Sequence, residues 1–325
     1  MMNMRKRARL IYNPTSGREQ VKKELPYILD RLESVGYEAS AFATKKMGEA
    51  TEEAARAVEE RFDLVIAAGG DGTINEVING LAEKEYRPTF GIIPVGTTND
   101  FARALQIPRT IEGACDVLCG GHYMPVDIGK VNHQYFINIA GGGKITEVSY
   151  EVPSKLKTIL GQLAYFIKGI ELLPSFRPTR VRIEYDGKEF EDEIMLFLVA
   201  NTNSVGGFEK LAPDASLNDG MFNLIILKKT NLPEFVRLVS LAVRGEHLND
   251  PNVIYAQANR IKVYPQEKQM QLNLDGEFGG MMPAEFENLY RHVSMLVPKE
   301  VAEAFKKNES ENGVKADEAV TSEEK

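Results

Sequence analysis

The first part of the chain alternates short apolar runs with longer stretches that carry one apolar face. The short runs have the length and composition of buried strands. In the longer stretches, apolar residues recur three and four positions apart, which is the spacing of an amphipathic helix. We predict strands at 7–13, 37–44, 64–68 and 90–94, and helices at 19–35, 48–61 and 75–82. This alternation predicts an α/β domain with a parallel sheet covered by helices.

The pattern changes after about residue 125, where strand-like runs separated by turn residues dominate. Such runs predict a second domain, a mainly antiparallel β-sandwich. Its predicted strands are 124–130, 133–140, 179–185, 189–190, 193–201, 221–227, 259–265, 269–274 and 285–296, and its predicted helices are 154–173, 231–244 and 299–306. We place the domains at 1–125 and 126–290, with 291–306 as a segment that could rejoin the first. The polar, acidic residues 307–325 predict a disordered tail.

Composition narrows the class of protein. The 325 residues are 43% hydrophobic and 26% charged, with a net charge of −8, which disfavours nucleic acid as a partner. No run of about 18 apolar residues is present, so we expect neither a spanning helix nor a signal peptide. Cys115 and Cys119 predict reduced, at least half-buried thiols. The four histidines show no metal-ligand spacing, and a cytoplasmic location fits these features.

The strongest local signal is the glycine-rich segment at 69–75, Gly-Gly-Asp-Gly-Thr-Ile-Asn. It joins a predicted strand to a predicted helix, so its backbone N–H groups and the positive helix end converge on one point. That point suits a phosphate. Asp71 would repel an anion there unless a magnesium ion lies between them. A second polar loop, 96–100, follows the next strand, and both loops are expected at the carboxyl edge of the sheet.

Three segments in order along the chain carry a resemblance to a known family. They are Asn-Pro-Thr-Ser-Gly at 13–17, Gly-Gly-Asp-Gly-Thr at 69–73 and Gly-Thr-Thr-Asn-Asp-Phe at 96–101. The segments at 211–220 and 274–277 belong to the same pattern. Together they resemble the diacylglycerol kinase catalytic domain and its bacterial lipid-kinase relatives, over roughly residues 5–300. Within that family the chain looks most like the soluble diacylglycerol kinases of Gram-positive bacteria.

The resemblance implies transfer of phosphate from ATP to diacylglycerol, giving phosphatidate that phospholipid synthesis reuses. Asp71 and Asp100 would hold Mg²⁺ near the phosphates, Lys168 would add positive charge, and Glu277 would be the base. The implied nucleotide contacts are Asn13, Pro14, Thr15, Ser16, Gly17, Thr44, Gly69, Gly70, Asp71, Gly72, Thr73, Ile74, Asn75 and Thr97. Close members of the family carry a lysine where this chain has Arg18, which keeps the charge but changes the geometry.

Several of these residues also have ordinary structural interpretations. Asn13 and Thr44 suit turn or capping chemistry, and Asp100 alone could cap the helix that begins at Phe101. Asp275 competes with Glu277 for the role of base, and Asp-Gly is itself a common turn.

The resemblance also implies a second, structural Mg²⁺, held by the carboxylate of Asp219 and the backbone carbonyls of Ser216 and Met221. From spacing alone, a β-turn at Gly220 explains this loop better, so the cation site rests on the resemblance.

Diacylglycerol lies in a bilayer, so we expect transient contact with the inner face of the cell membrane. The predicted helix 154–173 has an apolar stripe flanked by Lys155, Lys157 and Lys168, which suits an anionic surface. A helix packed on its own domain is the alternative. A homodimer is implied by the resemblance only.

Two other functions remain open from the sequence. One is a related kinase that acts on sphingosine, on a phosphatidylglycerol-type lipid or on NAD; NAD kinase shares the Gly-Gly-Asp-Gly-Thr segment. The other is a nucleotide-binding regulator without transfer activity. The joint presence of Asp71, Asp100 and Glu277 disfavours the regulator, because a sensor needs no base for an acceptor.

Overall fold

The computed structural model describes residues 5–143, 178–203, 210–266 and 270–310. The predicted helix at 154–173, including Lys155, Lys157 and Lys168, lies outside these residues, as does most of the predicted tail. Within the described part, the α/β domain with a parallel sheet and the antiparallel β-sandwich are both confirmed.

The first domain is a four-stranded parallel sheet in the order β2-β1-β3-β4, with helices packed on it. Its central strands are almost wholly apolar because both faces of the sheet are covered. Its elements are β1 (Lys6–Tyr12), α1 (Gln20–Ser34), β2 (Tyr37–Ala43), α2 (Glu49–Glu59), β3 (Leu64–Gly69), α3 (Asp71–Leu81), β4 (Thr89–Pro94), α4 (Asp100–Ala104) and α5 (Ile111–Gly120), with a 3₁₀ turn at Ser16–Glu19.

Helix α3 begins four residues earlier than the sequence predicted. We expected a glycine turn through Thr73 and a helix from Asn75, but the first helical residue is Asp71. Gly70 has an extended backbone and serves as the N-cap, and the Ile74 N–H already donates to the Gly70 carbonyl at 3.1 Å. The Asp-Gly-Thr part of the motif is therefore the first turn of the helix. Its N–H groups are the unpaired donors of a helix end.

The second domain is built from antiparallel strands around a cluster of phenylalanine rings. Phe136 stacks on Phe222 with ring centroids 5.5 Å apart, and Phe286 meets Phe136 and Phe197 edge-on. The elements are β5 (Tyr123–Val131), β6 (Gln134–Phe136), β7 (Ile139–Gly142), β8 (Thr179–Tyr185), β9 (Lys188–Ala200), β10 (Phe222–Lys228), α6 (Leu232–Arg244), β11 (Val253–Ala258), β12 (Arg260–Pro265), β13 (Gln271–Leu274), β14 (Glu277–Met281) and β15 (Ala284–Leu296), followed by α7 (299–310).

Four details of the predicted strands and helices were wrong. The strand predicted at 133–140 is interrupted between β6 and β7, and the two runs at 189–190 and 193–201 form the single strand β9. Strands β11 and β14 were not predicted. Helix α7 runs to residue 310, so residues 307–310, which we predicted as part of the disordered tail, are helical. An ion pair between Arg291 and Glu309, 2.6 Å long, attaches the last turn of α7 to β15.

Strand β15 joins the two domains. Its first residues pair with β12 of the second domain, and Met295 pairs in parallel with Phe90 of β4. Between these ends, residues 290–292 leave the register with β5. The buried carboxylate of Asp127 accepts the Arg291 N–H at 2.6 Å, which fastens this bulge. The two domains therefore share one continuous hydrogen-bonded sheet.

Two expectations about the whole chain concern membranes and thiols. Among the residues that the structure describes, no helix is both long and apolar enough to cross a membrane. Cys115 and Cys119 are free thiols, the first buried and the second half-buried. Burial raises the pKa of Cys115 to about 12, so this thiol is unreactive at neutral pH.

Candidate functional site

The loops that follow the four parallel strands lie side by side at one edge of the sheet. Hydrogen bonds extend the strand pairing into the loops. The Asn13 N–H donates to the Ala68 carbonyl at 3.1 Å, the Thr44 N–H to the Tyr12 carbonyl at 2.9 Å, and the Val95 N–H to the Gly69 carbonyl at 3.0 Å. The predicted meeting of the glycine turn and the 96–100 loop at the carboxyl edge therefore holds in the structure.

Glycine is required where these loops touch. A Cβ atom on Gly96 would lie 2.5 Å from the Cα atom of Gly70, so the backbones of the two loops are in direct contact. Gly17 has a φ of +56°, and a Cβ atom there would lie 2.7 Å from the Val95 carbonyl oxygen. The segments at 13–17, 69–73 and 96–101 therefore lie so close together that a side chain at Gly17 or Gly96 would push their backbones apart.

Asp71 and Asp100 lie close enough for their charges to interact. Burial, and then the negative charge of Asp100, raises the pKa of Asp71 above its usual value. The carboxylate of Asp71 accepts backbone N–H groups of residues 99–101, including that of Phe101 at 3.4 Å. Asp71 therefore caps α4, a structural role that the sequence did not suggest. Asp100 is itself buried as the first residue of that helix.

Asn99 is a residue of this edge that sequence reasoning missed. It is buried in the left-handed region, with a φ of 52°. Its side chain holds both backbone groups of Gly96, accepting the N–H at 3.1 Å and donating to the carbonyl at 2.9 Å. The spacing Gly-x-x-Asn within the loop was the available signal, because an asparagine side chain closes such a turn.

The small polar residues of the edge make turn contacts. The Asn13 carboxamide oxygen accepts the N–H of Thr15 at 3.0 Å and its hydroxyl at 2.8 Å, and the Thr44 hydroxyl donates to the Tyr12 carbonyl at 3.3 Å. The Thr97 carbonyl accepts from Arg109 at 2.8 Å. These contacts agree with the turn interpretation of Asn13 and Thr44. Contact of any of these residues with a nucleotide stays a prediction.

Other predicted nucleotide residues differ in where they lie. Pro14 and Ser16 are partly buried in the loop after β1, whereas Arg18 is exposed with a φ of 57°. Ile74 lies on the buried face of α3 and is fully buried in the hydrophobic core. Thr73 packs its side chain against Gly69, where a Cβ atom would lie 2.5 Å from the Thr73 hydroxyl oxygen.

The β13–β14 hairpin brings Glu277 from the second domain to the glycine turn of the first. A Cβ atom on Gly72 would lie 3.4 Å from a carboxylate oxygen of Glu277. This carboxylate is exposed and stands at the N-terminal end of α3, where the unpaired N–H groups converge. A set of N–H donors that could bind an anion and a candidate base thus meet across the cleft between the domains.

Asp275, the competing candidate for the base, is occupied by four donors. Its carboxylate accepts the N–H groups of Ile137, Asn138 and Ile139 and the side-chain amide of Asn75, all at 2.8–2.9 Å. Burial is the largest influence on it and raises its pKa to about 6. The side chain of Asn75, predicted to contact nucleotide, is directed to Asp275 in the structure. This arrangement fixes the hairpin, and with it Glu277, against β7 and α3.

We predict that Asp275→Asn lowers the stability of the protein. An amide nitrogen in place of one carboxylate oxygen would face N–H donors, so at least one buried donor would lose its acceptor. The expected loss is about 2–4 kcal/mol in the free energy of unfolding, measured by urea denaturation. Thr15→Val, which removes one exposed hydroxyl contact, is the control and should change stability by less than about 1 kcal/mol. Equal stability of Asp275→Asn and wild type would contradict the structural role.

The chain is similar to known proteins along most of its length. The family model "Diacylglycerol kinase catalytic domain" matches residues 7–131, and "YegS C-terminal NAD kinase beta sandwich-like domain" matches residues 146–298. The chain is 66% identical to a diacylglycerol kinase of Bacillus subtilis over 299 residues, which cover 92% of this chain and 98% of the relative. It is 57% identical to one of Staphylococcus aureus, covering 92% and 94%. The chain belongs to the diacylglycerol kinase family.

Solved structures of the family agree with the fold. A putative diacylglycerol kinase from Bacillus anthracis superposes with a TM-score of 0.80 at 31% identity, covering 92% of this chain and 99% of that one. An NAD kinase from Archaeoglobus fulgidus, solved in complex with ATP, superposes with a TM-score of 0.50 at 14% identity, covering 92% and 96%. The second similarity concerns the fold alone. The predicted family and fold are therefore confirmed.

The residues expected to hold a structural cation in this family member lie at the turn before β10. The Asp219 carboxylate accepts the Met221 N–H at 3.0 Å, and buried Asp127 accepts the Gly220 N–H at 2.7 Å. Burial raises the pKa of Asp219, and it raises that of Asp127 to about 6. Ser216 and Asp219 line a cavity of about 570 Å³ beside α7. Asp127 was not predicted from the sequence.

Proposed function

We propose that the protein transfers the γ-phosphoryl group of ATP to the free hydroxyl of diacylglycerol, giving phosphatidic acid that phospholipid synthesis can reuse. Membership of the diacylglycerol kinase family supports this. The observation that carries the proposal is the approach of Glu277 to Gly72. It joins a candidate base from one domain to a candidate phosphate cradle from the other.

The chemistry needs positioning and charge stabilisation more than covalent catalysis. The N–H groups of the first turn of α3 and the positive end of that helix would hold the phosphates. The lipid hydroxyl would approach from the side of the hairpin and attack the γ-phosphorus. Its proton would pass to the Glu277 carboxylate, and ADP would leave with the electron pair of the broken P–O bond. Asp275 is unsuited to this step because four donors already occupy its oxygens.

The acidic pair at this edge fits a divalent cation. Burial, and then the negative charge of Asp100, raises the pKa of Asp71, so a cation would relieve both effects, and carboxylate oxygens are the ligands that Mg²⁺ prefers. We propose that both side chains hold Mg²⁺ together with ATP. When bound, such an ion neutralises charge on the phosphates. Asp71 would at the same time order the 96–100 loop through the N–H groups that it accepts.

We also propose a structural Mg²⁺ at Asp219, with the Ser216 and Met221 carbonyls as further ligands. The fit rests on two neighbouring carboxylates, buried Asp127 and exposed Asp219, because desolvation raises the pKa of both. A cation would offset this cost. Among the residues that the structure describes, no group of three or more His, Cys, Asp or Glu side chains is placed so that it could hold a metal ion. The site therefore depends on carbonyl oxygens as well as on Asp219.

Location and assembly complete the proposal. We propose a cytoplasmic protein that binds the inner face of the membrane transiently, because its proposed acceptor resides there. A homodimer is proposed from the family resemblance alone.

The test is a phosphorylation assay with radiolabelled ATP, Mg²⁺ and mixed micelles that contain dioleoylglycerol. We expect labelled phosphatidic acid from wild type and none above background from Asp71→Asn. Sphingosine, phosphatidylglycerol and NAD are assayed in parallel. Label in one of these acceptors, with none in diacylglycerol, would overturn the proposed substrate.

A further inference from the structure

Helix α3 carries two asparagines, one turn apart, on the side that faces the second domain. Asn75 and Asn79 are four positions apart, so their side chains are neighbours on the helix surface. Both side chains donate to the backbone carbonyl of Tyr135 in β6, at 3.2 and 3.3 Å. The sequence predicted a role for Asn75 only. Asn79 belongs neither to the predicted nucleotide contacts nor to the proposed catalytic groups.

The carboxamide of Asn79 binds both backbone groups of one residue of β6. Its oxygen accepts the Tyr135 N–H at 3.2 Å, while its nitrogen donates to the Tyr135 carbonyl. The Tyr135 N–H needs an acceptor, so it determines which way the Asn79 amide points. Just beyond α3, the Tyr135 hydroxyl donates to the carboxylate of Glu83. Strand β6 of the second domain is therefore fastened along the second half of α3.

Asn79 also fixes which way the Asn75 carboxamide points. The Asn79 side-chain nitrogen donates to the carboxamide oxygen of Asn75 and to its backbone carbonyl, both at 2.9 Å. The oxygen and nitrogen of an amide are the two arms of one planar group, so the Asn75 nitrogen must face the other way. There it donates to the Asp275 carboxylate at 2.8 Å. A reversed Asn75 amide would instead place its oxygen against that carboxylate.

A second connection leads from Asn79 to the same hairpin through β6. Gln134, the first residue of that strand, donates its side-chain amide to the Gly279 carbonyl in β14 at 2.8 Å. Gly279 lies two residues after Glu277, and Asp275 lies two residues before it. The hairpin is thus held on both sides of Glu277 by partners that Asn79 orients or binds.

We propose that Asn79 is a positioning residue of the phosphoryl transfer, which sets the distance between the Glu277 carboxylate and the first turn of α3. This inference rests on the proposed function. Asn79 is not among the groups that would touch ATP or the lipid; it acts through Asn75 and β6. A displacement of about 1 Å in an active site can lower a rate about a hundredfold, so a loosened contact at Asn79 should appear in turnover.

The first test variant is Asn79→Asp, which keeps the size of the side chain and an oxygen for the Tyr135 N–H. It removes the donor to Asn75 and places a negative charge beside the Asn75 oxygen. Asn79→Ala, which favours the helix but has no polar side-chain atom, is the second variant. Asn249→Asp makes the first exchange at an exposed position, and Ile28→Val opens a small cavity in the core beside α1; both are controls.

We expect both variants at position 79 to lower kcat by at least about tenfold in the dioleoylglycerol micelle assay. The apparent KM for the lipid and the Kd for ATP, measured by calorimetry with Mg²⁺, should change by less than about threefold. Asn249→Asp and Ile28→Val should keep kcat within about twofold of wild type. A kcat within about twofold of wild type in both position-79 variants would overturn the proposal.

The double variant Asn79→Asp/Glu277→Gln distinguishes positioning from a general structural role. If Asn79 acts through Glu277, its replacement should change kcat by less than about threefold once the base is absent, because residues that act as a unit are not additive. A further loss of tenfold or more in the double variant, relative to Glu277→Gln alone, would overturn the proposal.

Amide hydrogen exchange, measured by mass spectrometry, tests the contacts without turnover. Asn79→Ala removes the acceptor of the Tyr135 N–H, so exchange in peptides that span residues 133–140 should rise by at least about threefold, while α5 stays as in wild type. An inactive wild type would overturn the proposed function and this role together. An active wild type with unchanged exchange in Asn79→Ala would overturn this role alone.

Discussion

Replacing Asp71 with asparagine is expected to lower kcat about a thousandfold, with the fold unchanged. The substitution keeps the size of the side chain and one oxygen that can accept the N–H groups of residues 99–101. It removes the negative charge that, with Asp100, would hold the cation. The loss should therefore appear in turnover at saturating ATP and Mg²⁺, measured with dioleoylglycerol micelles, while circular dichroism stays the same.

Asp71→Ala separates the two roles of this residue. Alanine removes both the charge and the acceptor for the backbone of α4, so it should lose stability as well as turnover. The loss of an N-cap acceptor corresponds to about 1 kcal/mol in the free energy of unfolding. An Asp71→Asn variant with more than about a tenth of wild-type kcat would contradict a cation-binding role and leave Asp71 as a helix cap.

Replacing Glu277 with glutamine is expected to lower kcat about a thousandfold while ATP binding is retained. Glutamine has the same length and can still face Gly72, but it cannot accept a proton from the lipid hydroxyl. Turnover is measured in the micelle assay, and ATP affinity is measured by isothermal calorimetry in the presence of Mg²⁺. Since Glu277 belongs to the second domain, we expect the nucleotide Kd to change by less than about threefold.

The matched control for Glu277→Gln is Glu189→Gln on β9. Glu189 is an exposed glutamate on a strand of the same domain, and its loss should leave kcat unchanged. Full activity of Glu277→Gln would rule it out as the base. Because Asp275 is engaged by four donors, the base would then have to be another group, such as a water molecule held by the phosphates.

The sequence predicted those parts of the site whose positions depend on residues that are close together in the chain. Gly69, Gly70, Gly72 and Gly96 lie where strands end, so strand periodicity and turn chemistry were enough to bring both loops to one sheet edge. The family motifs added Glu277, whose approach to the glycine turn depends on a contact across about two hundred residues of chain. No local pattern contains that information.

The roles that sequence reasoning missed belong to two aspartates whose hydrogen-bond partners are distant in sequence. Asp275 accepts backbone N–H groups 136–138 positions away, and Asp127 accepts from Gly220 and Arg291, 93 and 164 positions away. In the sequence, Asp275 resembles a turn residue before Gly276, and Asp127 is one polar residue within a predicted strand. Strand β14 was also missed, since Gly-Gly in a short run indicates a flexible turn as readily as a strand.

The shared strand β15 sets the order in which the protein can be completed during synthesis. Strand β4 ends at Pro94, and the strand that pairs with its open side ends at Leu296. At about 5–20 residues per second, a ribosome needs roughly 10–40 s to make the intervening chain. During that time β4 is the unpaired edge strand of a nascent chain and could pair with a strand of another molecule. The nucleotide-binding half is thus made first but finished last, so an active kinase appears only after residue 296 has been made.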